Sequence, residues 1–143
     1  MAHARAAIGK AAYPTNIRSG RHTLIADEPT TAGGQDAGPN PTALLAAALA
    51  SCTAITLRMY ADRKQWPLEA VNVSVNVKRA EDKSTSIERV LQLEGVLTDE
   101  QRARLADIAE RTPVTLMIKS GSQLHTILAE RVANQTQLPT ETS

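Results

Sequence analysis

From Leu44 to Leu57 the chain carries no charged residue. Ala and Leu dominate that stretch, and both are strong helix formers. It opens at Gly38-Pro39-Asn40-Pro41. Pro41 suits the first turn of a helix, where its missing N–H costs nothing, and Asn40 is a suitable N-cap. Leu45, Leu49, Cys52, Ile55 or Thr56, and Met59 recur at helical spacing. Charge returns with Arg58, Asp62, Arg63 and Lys64, and Pro67 blocks continuation. The pattern predicts a helix over about 41–64. A helix apolar all round is buried all round, so this element, with Cys52 inside it, is expected to be the core that the remaining chain covers.

The flanking sequence has a different period. The segment from Ala4 to Ala11 is small and mixed, and the N-terminal third reads as short strands. Ile17 and the run from His22 to Ala26 suggest a hairpin, with Ser19-Gly20 in the turn. Asp27 to Asn40 contains Pro29, Gly33, Gly34, Gly38 and Pro39, a density of breakers that predicts a loop. After the long helix, Val71, Val73, Val75 and Val77 alternate with polar residues, the signature of a strand with one buried face. Ile87 to Leu97 predicts a second strand, pairing with the first as an antiparallel hairpin. Thr98 and Gln101 form a capping box for a helix reaching about Glu110, with Leu105, Ile108 and Ala109 on its buried stripe. Thr112-Pro113 restarts a short helix through Ile118. Gly121 ends it, and Leu124 to Leu128 predicts a final strand. The tail from about Asn134 is polar. Segregated strands and helices indicate an α+β class, and 143 residues fit a single domain.

Composition narrows the function classes. The net charge is +1, against a nucleic-acid binder that depends on a basic face. There is no Phe, and the aromatics are Trp66, Tyr13 and Tyr60 alone, so no stacking platform for single strands is expected. No uninterrupted run approaches the ~20 apolar residues of a membrane span. The N-terminus, Met1-Ala2-His3-Ala4-Arg5, resembles no secretory signal. A single cysteine makes no internal disulfide, which agrees with a reducing compartment. These features together predict a cytoplasmic protein that engages neither nucleic acid nor membrane.

Cys52 is the residue most capable of chemistry. On composition alone, a free cysteine in such a helix is a small core hydrophobe. A reactive thiol needs a cation, a helix N-terminus or a partner base, and Cys52 lies about three turns inside the helix, beyond the reach of its dipole. An arginine must come through space, and Arg18, Arg21, Arg58 and Arg111 are the candidates. Arg58 follows Cys52 by six positions and points to another face. His3, His22 and His125 show no metal-ligand spacing, so no metal site is expected. Asp27-Glu28 is too common a pair to define a cation site. The glycines from Gly33 to Gly38 match neither phosphate-binding pattern and read as a turn and helix entry.

Asp27-Glu28-Pro29, Gly33-Gly34, Asp36, Gly38-Pro39-Asn40-Pro41, Leu44-Leu45, Ala47-Ala48 and the run from Ser51 to Ala61 resemble the OsmC/Ohr family of osmotically inducible and organic hydroperoxide resistance proteins. Lys64, Trp66-Pro67-Leu68-Glu69 and Val71 continue the likeness, which spans roughly residues 20 to 128. It is strongest toward the OsmC-like branch. The resemblance implies an intertwined homodimer, a curved antiparallel sheet around long central helices, and a site at the subunit interface. No cofactor is expected. The resemblance also implies thiol peroxidase chemistry, with Cys52 at the peroxidatic position and Arg18 or Arg21 as the activating cation. The family's second cysteine belongs to a Cys-Pro-Val-His segment, where this chain has Thr112-Pro113-Val114-Thr115. A threonine hydroxyl cannot condense with a sulfenic acid. The family's glutamate at the helix start is also replaced, with Thr42 and Ala43 at the two matching positions.

Two principal readings follow, with a further one behind them. One is a one-cysteine reduction of small organic hydroperoxides in oxidative stress defence, using an external thiol reductant. The other is a non-catalytic dimer that binds an apolar ligand in an interface pocket or senses redox state. A purely structural dimer is a third.

Overall fold

The computed structural model describes residues 2–129. Its element order is β1 (Arg5–Ala7), β2 (Thr15–Ser19), β3 (His22–Ala26), α1 (Pro41–Lys64), β4 (Ala70–Arg79), β5 (Thr85–Glu94), α2 (Asp99–Ala109) and α3 (Pro113–Ser120). A 3-10 turn at Thr30–Ala32 precedes α1. The described residues divide into two compact units, one of residues 2–40 with 123–129 and one of residues 41–122.

The first unit holds the three-stranded antiparallel sheet β1-β2-β3. The expected hairpin is present, with Ser19 opposite His22 across a turn in which Gly20 adopts φ 60°. The breaker-rich segment from Asp27 is organised by a buried carboxylate. Asp27 Oδ1 accepts from the backbone N–H groups of Tyr13 at 3.2 Å and Glu28 at 2.7 Å. Its Oδ2 accepts from Gln35 at 3.1 Å and Ala37 at 3.0 Å. Burial raises the carboxyl pKa, but the four backbone donors outweigh it and hold the group below its ordinary range. Gly38 is required by proximity, because a Cβ there would collide with the Ile25 carbonyl. Asp27 and Gly38 therefore have a structural part in holding this loop.

The second unit is built on α1 and the hairpin β4-β5, whose register pairs Val71 with Leu93, Val73 with Leu91, Val75 with Arg89 and Val77 with Ile87. These partners form the half-buried face of the hairpin. The second strand ends at Glu94, earlier than the predicted Leu97. Gly95 breaks it with φ 136°, packed so closely on the Pro67 carbonyl that no side chain fits. The capping box forms as expected, with Gln101 N–H donating to Thr98 Oγ1 at 3.0 Å and Thr98 N–H donating to Gln101 Oε1 at 3.0 Å. Leu57, Ala61, Leu68, Leu105 and Ala109 make the core, with Trp66, Val71, Leu91, Leu93 and Ile108 around it.

Three expectations need correction. First, α1 is not buried all round. Its buried residues are Leu49, Thr53, Leu57 and Ala61, at a strict spacing of four, while Leu45, Ile55 and Met59 are exposed. Within one chain the hairpin, α2 and α3 cover a single stripe, and uniform apolarity in the sequence hides which one. Second, α1 contains an 18-residue window long and apolar enough on average to cross a membrane, by length and composition only, although no uninterrupted apolar run in it reaches that length. Leu57 and Ala61 of its buried stripe nevertheless pack into the core of this unit. Third, Leu124 to Leu128 forms no strand. Residues 121–129 are exposed and without regular structure, because a strand needs a neighbour to take its backbone hydrogen bonds and none pairs with it here. The polar tail from Asn134 lies outside the described residues.

Candidate active site around Cys52 and Arg89

Cys52 lies midway along α1, half-buried rather than enclosed. No side chain among the described residues hydrogen-bonds its sulfur. Adjacent residues on a helix project about 100° apart, so the fully buried neighbour Thr53 faces the unit's interior while Cys52 lies to one side.

Thr53 leads into a buried polar network that the sequence analysis missed. Its Oγ1 donates to the Leu49 carbonyl at 2.7 Å and accepts from Arg89 Nη1 at 3.1 Å. The same Nη1 donates to Thr115 Oγ1 at 2.9 Å. Thr115 Oγ1 donates to the Ala109 carbonyl at 3.2 Å and lies 2.6 Å from Thr112 Oγ1. Thr115 has only one hydroxyl proton. With that proton on Ala109, Thr112 must donate to Thr115, whose two lone pairs then serve Thr112 and Arg89. Thr112 in turn accepts from the Thr115 backbone N–H at 3.3 Å, capping α3, and Pro113 follows at the first helical position. Two hydroxyls from two helices, Thr53 and Thr115, thus hold one guanidinium, whose side chain is 12% exposed, and Thr112 braces Thr115 from behind.

The edge of the network is charged. Arg89 Nη2 reaches Glu110 Oε1 at 3.5 Å, and Lys119 Nζ reaches Glu110 Oε2 at 2.6 Å. The Lys119 hydrogen bond, reinforced by the charges of both cations, holds the Glu110 carboxyl below its ordinary pKa against partial desolvation.

The signal for Arg89 was present in the register. Ile87, Arg89, Leu91 and Leu93 occupy alternate positions, and that face packs inward while Val90 is exposed. A lone arginine on the apolar face of a strand demands buried acceptors. Thr53 and Thr115 supply them, and Thr112 holds Thr115 in place.

The predicted cations do not converge on the thiol within this unit. Arg58 donates to Asp62 at 2.5 Å and to the Leu68 carbonyl at 2.6 Å. Arg111 pairs with Asp107 at 2.6 Å. Arg18 and Arg21 belong to the other compact unit, where Arg18 Nε donates to the Gly20 carbonyl at 3.2 Å and Arg21 is exposed in the β2–β3 turn. Thr112, at the position of the second cysteine, is buried. Tyr60 lies two turns from Cys52, about 12 Å along the axis. A hydrogen bond from Arg104 holds its phenol below the ordinary range, opposed by partial burial. No three His, Cys, Asp or Glu side chains gather as a metal site among the described residues.

Comparison with known proteins places this geometry in context. The profile of the family described as OsmC-like protein matches residues 33–126. An OsmC-like protein from Mycoplasma pneumoniae superposes with a TM-score of 0.74 at 16% identity, covering 85% of this chain and 89% of that one. The organic hydroperoxide resistance protein OsmC of Legionella pneumophila gives 0.60 at 23%, covering 83% and 89%. An organic hydroperoxide resistance protein of Elizabethkingia anophelis gives 0.63 at 22%, covering 85% and 89%. At such identities these likenesses establish the fold. No curated protein matches the chain.

Proposed function

The chain belongs to the OsmC-like protein family, and from that premise we propose that it reduces small organic hydroperoxides through Cys52 alone, with an external thiol as reductant. The observation that carries this reading is the single, half-buried cysteine on α1 inside the family match, paired with a fully buried threonine where a resolving thiol would stand. The Cys52 thiolate attacks one peroxide oxygen, breaking the O–O bond. The sulfur leaves as a sulfenic acid, and the alkoxide takes a proton to become the alcohol. Thr112 cannot act next, because its hydroxyl has no reducing electrons to give. A small thiol condenses with the sulfenic acid, releasing water and forming a mixed disulfide. A second equivalent of thiol frees Cys52 and leaves as the oxidised reductant.

The reading includes a homodimer whose partner supplies the thiolate-activating cation, Arg18 or Arg21. It is supported by the apolar side chains left exposed at Ile55, Met59, Leu116 and Met117, a burden that association would relieve. Sedimentation at micromolar concentration should give a dimer, and a monomer would sink this part.

Rapid mixing of the reduced protein with an organic hydroperoxide tests the chemistry. The expected result is consumption of one thiol per chain, with a sulfenic acid trapped by dimedone. A Cys52→Ser variant consuming peroxide at the same rate would overturn the reading. A second reading, ligand binding without turnover, is favoured by Arg89, whose Nη1 is committed to Thr53 and Thr115 rather than to the sulfur. It requires that apolar ligand binding survive Cys52→Ser and that no sulfenic acid form.

A further inference from the structure

Beside the Arg89 network lies a cavity of about 250 Å³ within the second unit. Its apolar wall is Leu49, Ile87 and Ile118, and its polar wall includes Arg89, Lys119 and Glu110. Two cations and one carboxylate leave the lining with an excess of one positive charge. The carboxylate already present is a loose occupant of Arg89. Its contact with Nη2 is 3.5 Å long, and the Glu110 side chain is 56% exposed. The guanidinium meanwhile cannot swing away, because Nη1 is pinned by Thr53 and Thr115. Arg89 therefore presents a fixed, mostly desolvated cation with spare donor capacity beside an aliphatic wall. Such a cation attracts anions more strongly than a solvated one, since water screens it less. The volume falls below the roughly 300–1,000 Å³ of ordinary ligand pockets, which favours a short alkyl chain over a long acyl chain.

We propose that this cavity binds a short-chain monocarboxylate, its anionic head taking Arg89 Nη2 and Lys119 from Glu110 and its alkyl chain lying against Leu49, Ile87 and Ile118. The head group competes with Glu110 for the same donors. The site involves no chemistry at Cys52, so it stands or falls separately from the peroxidase reading.

Titration of the full chain with sodium hexanoate, followed by calorimetry and by backbone amide shifts, tests the proposal. Saturable binding is expected, with shifts at Ile87 to Arg89 and Thr115 to Lys119. Uncharged 1-hexanol should bind at least about tenfold more weakly, the worth of a charge-assisted hydrogen bond, and dodecanoate should bind more weakly than hexanoate. Arg89→Met should lose at least about tenfold in affinity. Glu110→Gln, a substitution at an exposed side chain that leaves the core untouched, should tighten hexanoate binding because it removes the competing charge. Equal affinity for hexanol and hexanoate, shifts elsewhere in the unit, or a Glu110→Gln variant that binds no more tightly would each overturn the assignment.

Discussion

Thr53 and Leu57 sit one turn apart on the same stripe of α1, and both are fully buried. Leu57 packs with Ala61, Leu68, Leu105 and Ala109 in a core held by exclusion of water. Thr53 is held by direction, through its bonds to the Leu49 carbonyl and the Arg89 guanidinium. One half of the stripe thus joins α1 to α2 and the hairpin by non-specific apolar contact. The other half joins it to Arg89 of β5, and through Arg89 to α3, by hydrogen bonds that tolerate little displacement. Cys52 lies at the polar end, so the proposed nucleophile is positioned where geometry is most sharply specified.

The apolar end should carry more stability. Leu105→Ala empties a fully buried site and is expected to cost about 2–5 kcal/mol in urea unfolding. Arg89→Met is expected to cost less, about 1–3 kcal/mol. Thr53 and Thr115 keep acceptors for their hydroxyl protons at Leu49 and Ala109, so only their lone pairs lose a partner. If Arg89→Met proves as damaging as Leu105→Ala, the two ends are not distinguished by the forces described. The Arg89 variant should also slow any peroxide reaction of Cys52 more than the Leu105 variant does, when both are compared under conditions where each is fully folded.

The same contrast explains what could be read from the chain. The long helix, the β4-β5 hairpin, the capping box at Thr98 and the short helix from Thr112-Pro113 each rest on local pattern, and all are present. Which face of α1 is buried was not legible, because a run with apolar residues at nearly every position has no preferred side. Arg89 was legible only by following the alternation of β5 to its inward face. Its partners Thr53 and Thr115 lie 36 and 26 positions away, and only folding brings them together. Leu124 to Leu128 has the composition of a strand, but a strand is completed by a neighbour, and sequence pattern carries no information on whether one is supplied.

Thr112 offers a finer separation of structure from chemistry. Its hydroxyl caps α3 and donates into the network. Thr112→Val removes the cap and should cost about 1 kcal/mol, while Thr112→Ser keeps both bonds and should restore stability to near the wild type. Thermal unfolding of the pair decides it. A Thr112→Val protein as stable as the Thr112→Ser protein would show that the capping hydroxyl contributes nothing, and the network would have to be redrawn without it.

The smallest effect lies at the charged rim and is best read from pH. The Glu110 carboxyl is held below its ordinary pKa of 4.5, chiefly by the Lys119 hydrogen bond. A lowered pKa in the folded state means that unfolding takes up a proton, so the stabilisation is complete above the unfolded pKa. It is lost as pH falls through the folded value. Glu110 is more than half exposed, and solvent screening limits the pair to about 0.2–1 kcal/mol. Wild type should therefore exceed Glu110→Gln in urea midpoint at pH 7, and the gap should close as pH drops below 4.5 and the carboxyl protonates. Comparing two proteins that share every other acidic group cancels their titrations from the difference. A gap that persists unchanged in acid would mean that Glu110 acts through its shape or its neutral hydrogen bonds. The rim would then belong with the directional half of the stripe, not with solvent.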